Sequence, residues 1–213
     1  MNLESLRREY LQGGLSRDEL SSDPVDQFSL WMQQAIELGI VDPTAMTIAT
    51  VSADGQPSQR IVLLKHFDAS GFVFYTNLNS QKGNELRNNP KAAMCFHWKS
   101  LLRQVRINGT VKKVSDKVAD EYYDTRGYES RIGAWASKQS SILNSRDELL
   151  NSIDEYKKKY NNKNKVPRPG HWSGWNLTPS SVEFWLDGDS RIHERLKYIK
   201  DEGGNWSKSL LSP

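Results

Sequence analysis

Five short segments between residues 45 and 113 constrain the fold of this chain more than any other feature of its sequence. Each is rich in β-branched and aromatic residues, which is typical of β-strands. Asp54-Gly55 and Asp68-Ala-Ser-Gly71 separate the first three segments and are good turn signals. Sequential strands without regular βαβ alternation predict an antiparallel barrel with flanking helices. The segments are MTIATV (46–51), RIVLLK (60–65), GFVFYTN (71–77), KAAMCFHW (91–98) and LLRQVRINGTVKKV (101–114).

Helix signals lie on both sides of these strands. Asp23 can cap a helix over 23–39, Pro24 suits its first position and Gly39 can end it. A short helix is predicted over 80–88. Residues 115–160 are predicted to be helical, with breaks near Gly127 and around 138–145.

The rest of the chain is predicted from its composition and turn signals. YKKKYNNKNKVPRPG (156–170) is typical of a solvated basic loop, and SVEFWL (181–186) with RIHERLKYI (191–199) predicts a hairpin. Residues 1–22 are polar and punctuated by Ser and Gly, so we expect a mobile N-terminal arm with a short helix. Residues 23–213 then form one mainly-β domain.

Charge and cysteine content exclude several classes of protein. The net charge of +3 is too small to indicate nucleic-acid binding by itself, so no nucleic-acid partner is predicted. Cys95 is the only cysteine, which excludes an intrachain disulfide and a multi-cysteine metal site and favours a buried thiol. We find no apolar stretch long enough for a membrane span, so we predict a cytoplasmic protein without a membrane partner.

The common catalytic signatures are missing. The sequence contains no P-loop, no GxGxxG after a strand, no HExxH and no GxSxG. His66, His97 and His171 lack the spacing of metal ligands, so no metal site is predicted. Dispersed anion-binding positions without an evident nucleophile suit an enzyme whose cofactor carries the chemistry.

The stretch RIHER (191–195) is the most informative short motif. If it is a strand, Arg191, His193 and Arg195 line one face at intervals of about 6.6 Å and form a donor row suited to an anion. An exposed polar face of an edge strand explains the same pattern equally well.

Other cationic positions are dispersed. A regular strand sends Arg60 and Lys65 to opposite faces, roughly 16 Å apart, so they are either unrelated surface charges or contacts to two anionic groups. Tyr122 and Arg126 share a helical face, and Ser130 follows the break near Gly127. Their hydroxyl and guanidinium donors can hold a phosphate, although such a trio also arises by chance in a polar helix.

Taken in order, seven segments resemble the pyridoxamine 5′-phosphate oxidase family over nearly the whole chain. The last segment matches the family signature at Glu183, Phe184, Trp185, Arg191, His193, Glu194 and Arg195. The segments are LRREYLQGGL (6–15), DPVDQFSLW, SQRIVLLK, FVFYTNLNSQKGNEL, QVRINGTV, ESRIGAWASKQSS and VEFWLDGDSRIHER.

The resemblance implies an FMN-binding split β-barrel that works as a homodimer, with the flavin at the subunit interface. It implies substrate contacts from Arg7 and Tyr10 in the N-terminal segment, from Lys65, Tyr122, Arg126 and Ser130 around the phosphate, and from Arg191 and His193, the catalytic pair, at the pyridine ring. The implied FMN contacts are Arg60, Ile61, Val62, Leu63, Leu64, Lys65, Tyr75, Thr76, Gln81, Lys82, Gln104, Gln139, Ser140, Trp185 and Arg195.

The activity implied is oxidation of pyridoxine and pyridoxamine 5′-phosphates to pyridoxal 5′-phosphate, with dioxygen reduced to hydrogen peroxide. Three alternatives remain open at this point: a split-barrel flavin reductase with another substrate, a non-catalytic binder of FMN or pyridoxal phosphate, and a nucleic-acid module that uses the basic loop at 156–168.

Overall fold

The computed structural model describes residues 20–162 and 165–213. Two single-turn 3₁₀ helices, Lys99–Leu101 and Asp189–Arg191, accompany the regular elements. The helices are α1 (Pro24–Glu37), α2 (Gln81–Asn88), α3 (Asp116–Asp124), α4 (Tyr128–Ala136) and α5 (Arg146–Lys159). The strands are β1 (Ala45–Val51), β2 (Pro57–Leu63), β3 (His66–Asp68), β4 (Gly71–Asn77), β5 (Lys91–Trp98), β6 (Arg103–Lys113), β7 (Trp172–Leu186), β8 (Glu194–Lys200) and β9 (Trp206–Leu211).

The nine strands form one antiparallel sheet. Its main path runs β2-β1-β5-β6-β7-β4-β3, and β8 pairs with β7 and with β9. Alternation builds the inner face, because Val105 and Ile107 on β6 are buried while Arg106 and Asn108, which alternate with them, are exposed. This sheet with its flanking helices confirms the predicted mainly-β fold.

Strand β7 is shared by two neighbours along one edge. Its first part, Trp172–Leu177, pairs with β4, and its last part, Ser181–Leu186, pairs with β8. Strand β6 pairs with β7 along the other edge, with a register shift between Asn108 and Gly109. The two ends of β7 therefore support different parts of the molecule.

Helix α1 closes one side of the core. Asp23 caps it by accepting a hydrogen bond from the Val25 N–H at 2.7 Å, as the sequence predicts. Phe28 is fully buried, and its ring centroid lies 5.0 Å from that of Phe67 and 4.9 Å from that of Phe96. These edge-on aromatic contacts fix the helix against the sheet.

The predicted strands and helices are confirmed with shifted boundaries in several cases. The strand predicted at 60–65 covers Pro57–Leu63, and the helical region at 115–160 consists of α3, α4 and α5, with breaks where the sequence places them. The first part of the predicted basic loop is helical, because α5 continues to Lys159, so that loop prediction is wrong for 156–159. Strands β3 and β9 and the first part of β7 were not predicted.

The predicted strand that starts at Arg191 is also wrong at its first residues. Strand β8 begins only at Glu194, and the preceding residues form an irregular turn. Ser190 and Arg191 both have left-handed backbone conformations, with φ of 56° and 66°. A backbone of this kind cannot continue a pleated strand, so the predicted face shared by Arg191 and Arg195 does not form.

Two further observations concern the described residues alone. No helix within 20–162 and 165–213 is long and apolar enough to cross a membrane. The same two ranges contain no group of three or more His, Cys, Asp or Glu side chains that could hold a metal ion.

Candidate active site

A cavity of about 860 Å³ opens beside β2 and β4. It is also lined by the start of α2, by α4 and by the loop that follows α4. The sequence-predicted residues that line it are Arg60, Ile61, Val62, Leu63, Lys65, Tyr75, Thr76, Gln81, Lys82, Tyr122, Arg126, Ser130, Gln139 and Ser140. We call these residues the cavity group.

Lys65 lines the same cavity as Arg60, although strand parity predicts opposite faces. Strand parity does not apply to Lys65, because β2 ends at Leu63. The Lys65 N–H donates to the Val73 carbonyl on β4 at 2.9 Å. Leu64, between Leu63 and Lys65, is 3% exposed and packs in the hydrophobic core, and it is not among the described residues that line the cavity.

Lys82 places a buried ammonium group in the cavity wall. Its side chain donates to Thr76 Oγ1 at 3.1 Å and to Gln139 Oε1 at 3.0 Å, which are neutral acceptors. Burial, followed by the charge of Arg60, lowers the pKa of Lys82 below its usual value of 10.5. A bound anion would favour the charged ammonium and so oppose both effects, which suits this site to a phosphate.

Arg60 is held in place by a serine on its own strand and by a glutamate on α2. Its guanidinium donates to Ser58 Oγ at 2.7 Å, and Nη2 lies 3.5 Å from Oε2 of Glu85. Burial raises the pKa of Glu85, but hydrogen bonds from Thr50, Ser58 and Gln81 outweigh it and hold that pKa below its usual value. The Glu85 carboxylate is therefore ionised at neutral pH and anchors Arg60.

An aromatic wall forms another side of the cavity. The ring of Tyr75 lies nearly parallel to those of Tyr122 and Trp172, at centroid distances of 4.0 and 5.2 Å. Burial raises the pKa of Tyr75, so its phenol remains protonated at neutral pH. The wall therefore combines flat apolar surface with hydroxyl donors.

Arg126 lies against this wall. Its guanidinium carbon is 4.8 Å from the ring centroid of Trp172, and Nη2 donates to the Ser130 carbonyl at 3.2 Å. Helix α3 ends at Asp124, so Arg126 follows the helix instead of extending the face of Tyr122, yet both line the cavity. Arg126 Nε is buried and makes no hydrogen bond with the described residues. Because Arg126 lines the cavity, its guanidinium places a positive charge there for an anionic ligand.

The remaining predicted residues lie at the far end of β7. Gln104 on β6 pairs with Trp185 on β7, and Trp185 pairs with Arg195 on β8. The ring of His193 lies 4.7 Å from that of Trp185, and Arg191 is exposed on the turn before β8. We call Gln104, Trp185, Arg191, His193 and Arg195 the end group.

Arg195 is fixed by an ion pair. Its Nε and Nη2 lie 3.0 and 2.9 Å from Oε1 of Glu183. The Glu183 side chain is buried, and its Oε2 lies 3.4 Å from Nη1 of Arg106. Arg195 Nη1 donates to the Ser212 carbonyl at 2.8 Å. This two-point contact with a carboxylate holds the guanidinium in one orientation.

The cavity group and the end group are separated within one chain. Tyr75 pairs with Gly174 near the start of β7, whereas the end group surrounds Trp185, on the order of 35 Å of extended strand away. No member of the end group is among the described residues that line the cavity. The structure thus brings the predicted residues together in two clusters instead of one.

Sequence reasoning missed several residues that line or support the cavity. Trp172 lies in a segment whose first four residues are all buried, so it shows no alternation that would indicate a strand. Glu85 carries a detectable signal, because it is four residues after Gln81 on the same helix face and accepts from its amide at 2.9 Å. Arg7 and Tyr10 lie outside the described residues.

Comparisons with protein families match almost the whole chain. Residues 32–185 match the model described as "Pyridoxamine 5′-phosphate oxidase". Residues 172–213 match the model described as "Pyridoxine 5′-phosphate oxidase C-terminal dimerisation region". The dimerisation-region match begins at β7 and contains most of the end group.

Individual relatives agree with these matches. A pyridoxine/pyridoxamine 5′-phosphate oxidase from Pelagibacter ubique is 73% identical over 191 residues, which is 90% of this chain and 92% of the relative. One of the same name from Teredinibacter turnerae is 48% identical over 213 residues, the full length of both. The crystal structure of PhzG from Burkholderia lata, in complex with tetrahydrophenazine-1-carboxylic acid, has a TM-score of 0.87 at 28% identity and covers 93% of this chain and 98% of its own.

A more distant structure shares only the fold. An FMN-binding, pyridoxamine 5′-phosphate oxidase-related protein from Nostoc punctiforme superimposes with a TM-score of 0.72 at 16% identity, covering 91% of this chain. The sheet order, the family matches and the full-length relatives all lead to one assignment. The chain belongs to the pyridoxamine 5′-phosphate oxidase family.

Proposed function

We propose that this protein oxidises pyridoxine 5′-phosphate and pyridoxamine 5′-phosphate to pyridoxal 5′-phosphate, with FMN as its cofactor and dioxygen reduced to hydrogen peroxide. The observation that supports this most directly is the cavity itself. It carries the cations Arg60 and Lys82 and, beside Tyr122, Arg126, together with a flat aromatic wall. Two phosphorylated, ring-containing molecules need such a combination.

The residues present suit FMN. Lys82 is a buried ammonium with only neutral acceptors within hydrogen-bond distance, and Arg60 is oriented next to it by Glu85. We propose that the flavin phosphate is held by Arg60, Lys82, Thr76, Gln139 and Ser140. Strand β2 then contacts the flavin with Ile61, Val62 and Leu63. The bound flavin supplies the two-electron acceptor for the reaction.

The substrate phosphate is assigned to the other cations. Arg126 and the hydroxyls of Tyr122 and Ser130 offer donors on the side of the cavity formed by α3 and α4. Lys65 lines the same cavity and adds a further charge. Their task is to bind and orient the substrate, which is catalysis by positioning.

The end group can take part in the same active site if the protein forms a homodimer. About 35 Å of strand separates it from the cavity, which is longer than one flavin mononucleotide. We propose that two copies associate through the region matched by the dimerisation model and that the end group of one copy completes the cavity of the other. In that arrangement Arg195, Trp185 and Gln104 face the flavin, while Arg191 and His193 face the substrate ring.

A cytoplasmic location is part of the proposal. The single cysteine, Cys95, is half-buried and unpaired, and burial raises its pKa, so the chain carries neither a disulfide nor an activated thiol. This composition suits a reducing compartment.

The direct test is the visible spectrum of the purified protein during anaerobic titration. We expect a yellow protein whose flavin absorbance bleaches with pyridoxine 5′-phosphate and returns when air is admitted. Unphosphorylated pyridoxine is the matched control, because it lacks the group assigned to Arg126. Bound flavin that is never bleached by either phosphorylated substrate supports a non-catalytic binder and overturns the proposal.

A further inference from the structure

One nitrogen of His193 lies between two groups that require opposite protonation states. Its Nδ1 is 2.9 Å from Oδ1 of Asp187 and 3.3 Å from the backbone nitrogen of Gly188. A carboxylate next to Nδ1 is satisfied only if that nitrogen carries a proton, whereas the Gly188 N–H needs a bare nitrogen that accepts. The two contacts cannot both be good hydrogen bonds in one neutral tautomer.

The turn that carries these groups is tightly built. The Asp187 N–H donates to the Leu102 carbonyl at 2.9 Å, and the Ile192 N–H donates to the Asp189 carbonyl at 3.0 Å. A Cβ at Gly188 would lie 1.9 Å from the Ile192 oxygen, so no larger residue fits there without a shift of the backbone. The turn therefore holds the Asp187 carboxylate and the His193 ring at a fixed separation.

The carboxylate dominates this competition. Its contact is shorter, and a hydrogen bond to an ionised acceptor is about twice as strong as one between neutral groups. The neutral imidazole then carries its proton on Nδ1 and leaves Nε2 bare. In the described part of the chain Nε2 makes no hydrogen bond, and the His193 side chain is 24% exposed, so Nε2 is available to a ligand.

We propose that Asp187 is a positioning residue that fixes the Nδ1–H tautomer of His193 and thereby presents Nε2 as a hydrogen-bond acceptor to the substrate ring. This inference rests on the proposed function, in which His193 faces that ring. Pyridoxine and pyridoxamine phosphates carry hydroxyl and amine donors on their rings, and a bare Nε2 accepts from such donors. The Trp185 ring packs against the imidazole, at a centroid distance of 4.7 Å.

The first test reads the tautomer directly. The imidazole ¹⁵N resonances of the flavin-loaded protein distinguish Nδ1–H from Nε2–H, and His193→Gln identifies which of the four histidines is observed. We expect Nδ1–H in the wild type. In Asp187→Ala the Gly188 N–H is left as the partner of Nδ1, so the proton should move to Nε2. Asp187→Asn keeps an acceptor oxygen and should lie between the two.

The matched control is Asp189→Ala, which removes the same charge from an exposed position of the same turn. Asp187→Ala should lower kcat/KM for pyridoxine 5′-phosphate about tenfold, the size of one lost charge-assisted contact, whereas Asp189→Ala should change it less than about twofold. Flavin content and thermal midpoint should be unchanged in both, because each side chain is at least partly exposed.

Two results overturn the inference while the proposed function stands, provided that the wild type is active. In the first, Asp187→Ala leaves the His193 tautomer unchanged. In the second, Asp187→Ala and Asp189→Ala lower kcat/KM equally. A wild type that shows no turnover contradicts the proposed function instead. The ¹⁵N measurement still decides the role of Asp187 in that case, because it needs no substrate.

Discussion

The cavity group and the end group differ in how the chain builds them. Two of the cavity cations come from regular elements, Arg60 from β2 and Lys82 from α2, where Arg60 donates to Ser58 on its own strand and Lys82 donates to Thr76 on β4. The other two, Lys65 and Arg126, lie within two residues of the ends of β2 and α3. The end group depends on a turn with two consecutive left-handed residues and on one buried carboxylate, Glu183. The cavity is thus set by regular elements and the residues that follow them closely, while the end group needs an irregular backbone. Each prediction below alters one group and leaves the other intact.

The largest effect is expected from mixing two inactive variants. Lys82→Met damages only the cavity group, and Arg195→Ala damages only the end group. If the site is shared between copies, a mixed dimer contains one intact site, so co-refolding the two variants should restore up to about a quarter of wild-type turnover. The control is a mixture of Lys82→Met with the double variant, which contains no intact site. Equal activity in both mixtures contradicts the shared site.

Lys82→Met by itself should weaken FMN binding about a hundredfold, or about 3 kcal/mol, because the buried ammonium is the proposed partner of the flavin phosphate. The flavin-free protein should not lose stability, since burial lowers the pKa of Lys82 and so shows that the charged form is disfavoured in the fold. Fluorescence quenching of FMN and the thermal midpoint of the apoprotein measure the two effects.

The pH dependence of that stability follows from the same pKa. A lysine whose folded-state pKa lies below 10.5 destabilises the fold at neutral pH, and this cost is relieved as the pH rises through the lowered value. The apo stability of Lys82→Met relative to wild type should therefore be greatest near neutrality and decline towards pH 10.5. Lys117→Met, which removes an exposed lysine of α3, is the control for loss of a positive charge.

Arg126→Ala should raise KM for pyridoxine 5′-phosphate ten- to a hundredfold, about 1.5–3 kcal/mol, because it removes one charge-assisted contact to the substrate phosphate. Flavin content should remain that of the wild type. Arg146→Ala, at the exposed start of α5 and outside the cavity lining, is the control for loss of a positive charge. A normal KM with weakened FMN binding would place Arg126 on the other ligand.

The smallest change in stability is expected from Arg191→Ala in the end group. Arg191→Ala and His193→Ala should lower turnover while the protein stays yellow, and Arg195→Ala should lose flavin first. Because Arg191 is exposed on its turn, its replacement should change the free energy of unfolding by no more than about 0.5 kcal/mol. Bound-flavin absorbance, thermal midpoint and turnover distinguish the roles. Wild-type turnover in both Arg191→Ala and His193→Ala contradicts their assignment to the substrate.

The sequence predicts strands well where a run of apolar and aromatic residues follows a clear turn signal. Strands β4 and β5 have the predicted boundaries, although only β5 alternates and β4 is buried along almost its whole length, and the breaks between α3, α4 and α5 occur as expected. Two other segments were predicted wrongly or not at all. The first part of β7 is buried on both faces, and RIHER alternates in sequence although its backbone turns at Ser190 and Arg191.

The candidate site is predictable only as a set of residues. Family resemblance supplies the positions, but their division into two clusters depends on which strands are neighbours, and periodicity carries no information on that pairing. The spacing of Glu85 from Gln81 indicates a shared helix face but not a contact with Arg60, and spacing gives no indication of the role of Glu183. Each is a buried carboxylate that orients an arginine from an adjacent strand or helix.

Strand β7 has a thermodynamic consequence for the proposed homodimer. One end of β7 borders the cavity, and the other end carries residues for the second copy. Cofactor binding and subunit association therefore depend on the same strand. Whatever binds only the associated form stabilises that form by mass action. FMN should then hold the subunits together, and dilution of the protein should release flavin at concentrations where the cavity of a single chain is still fully folded.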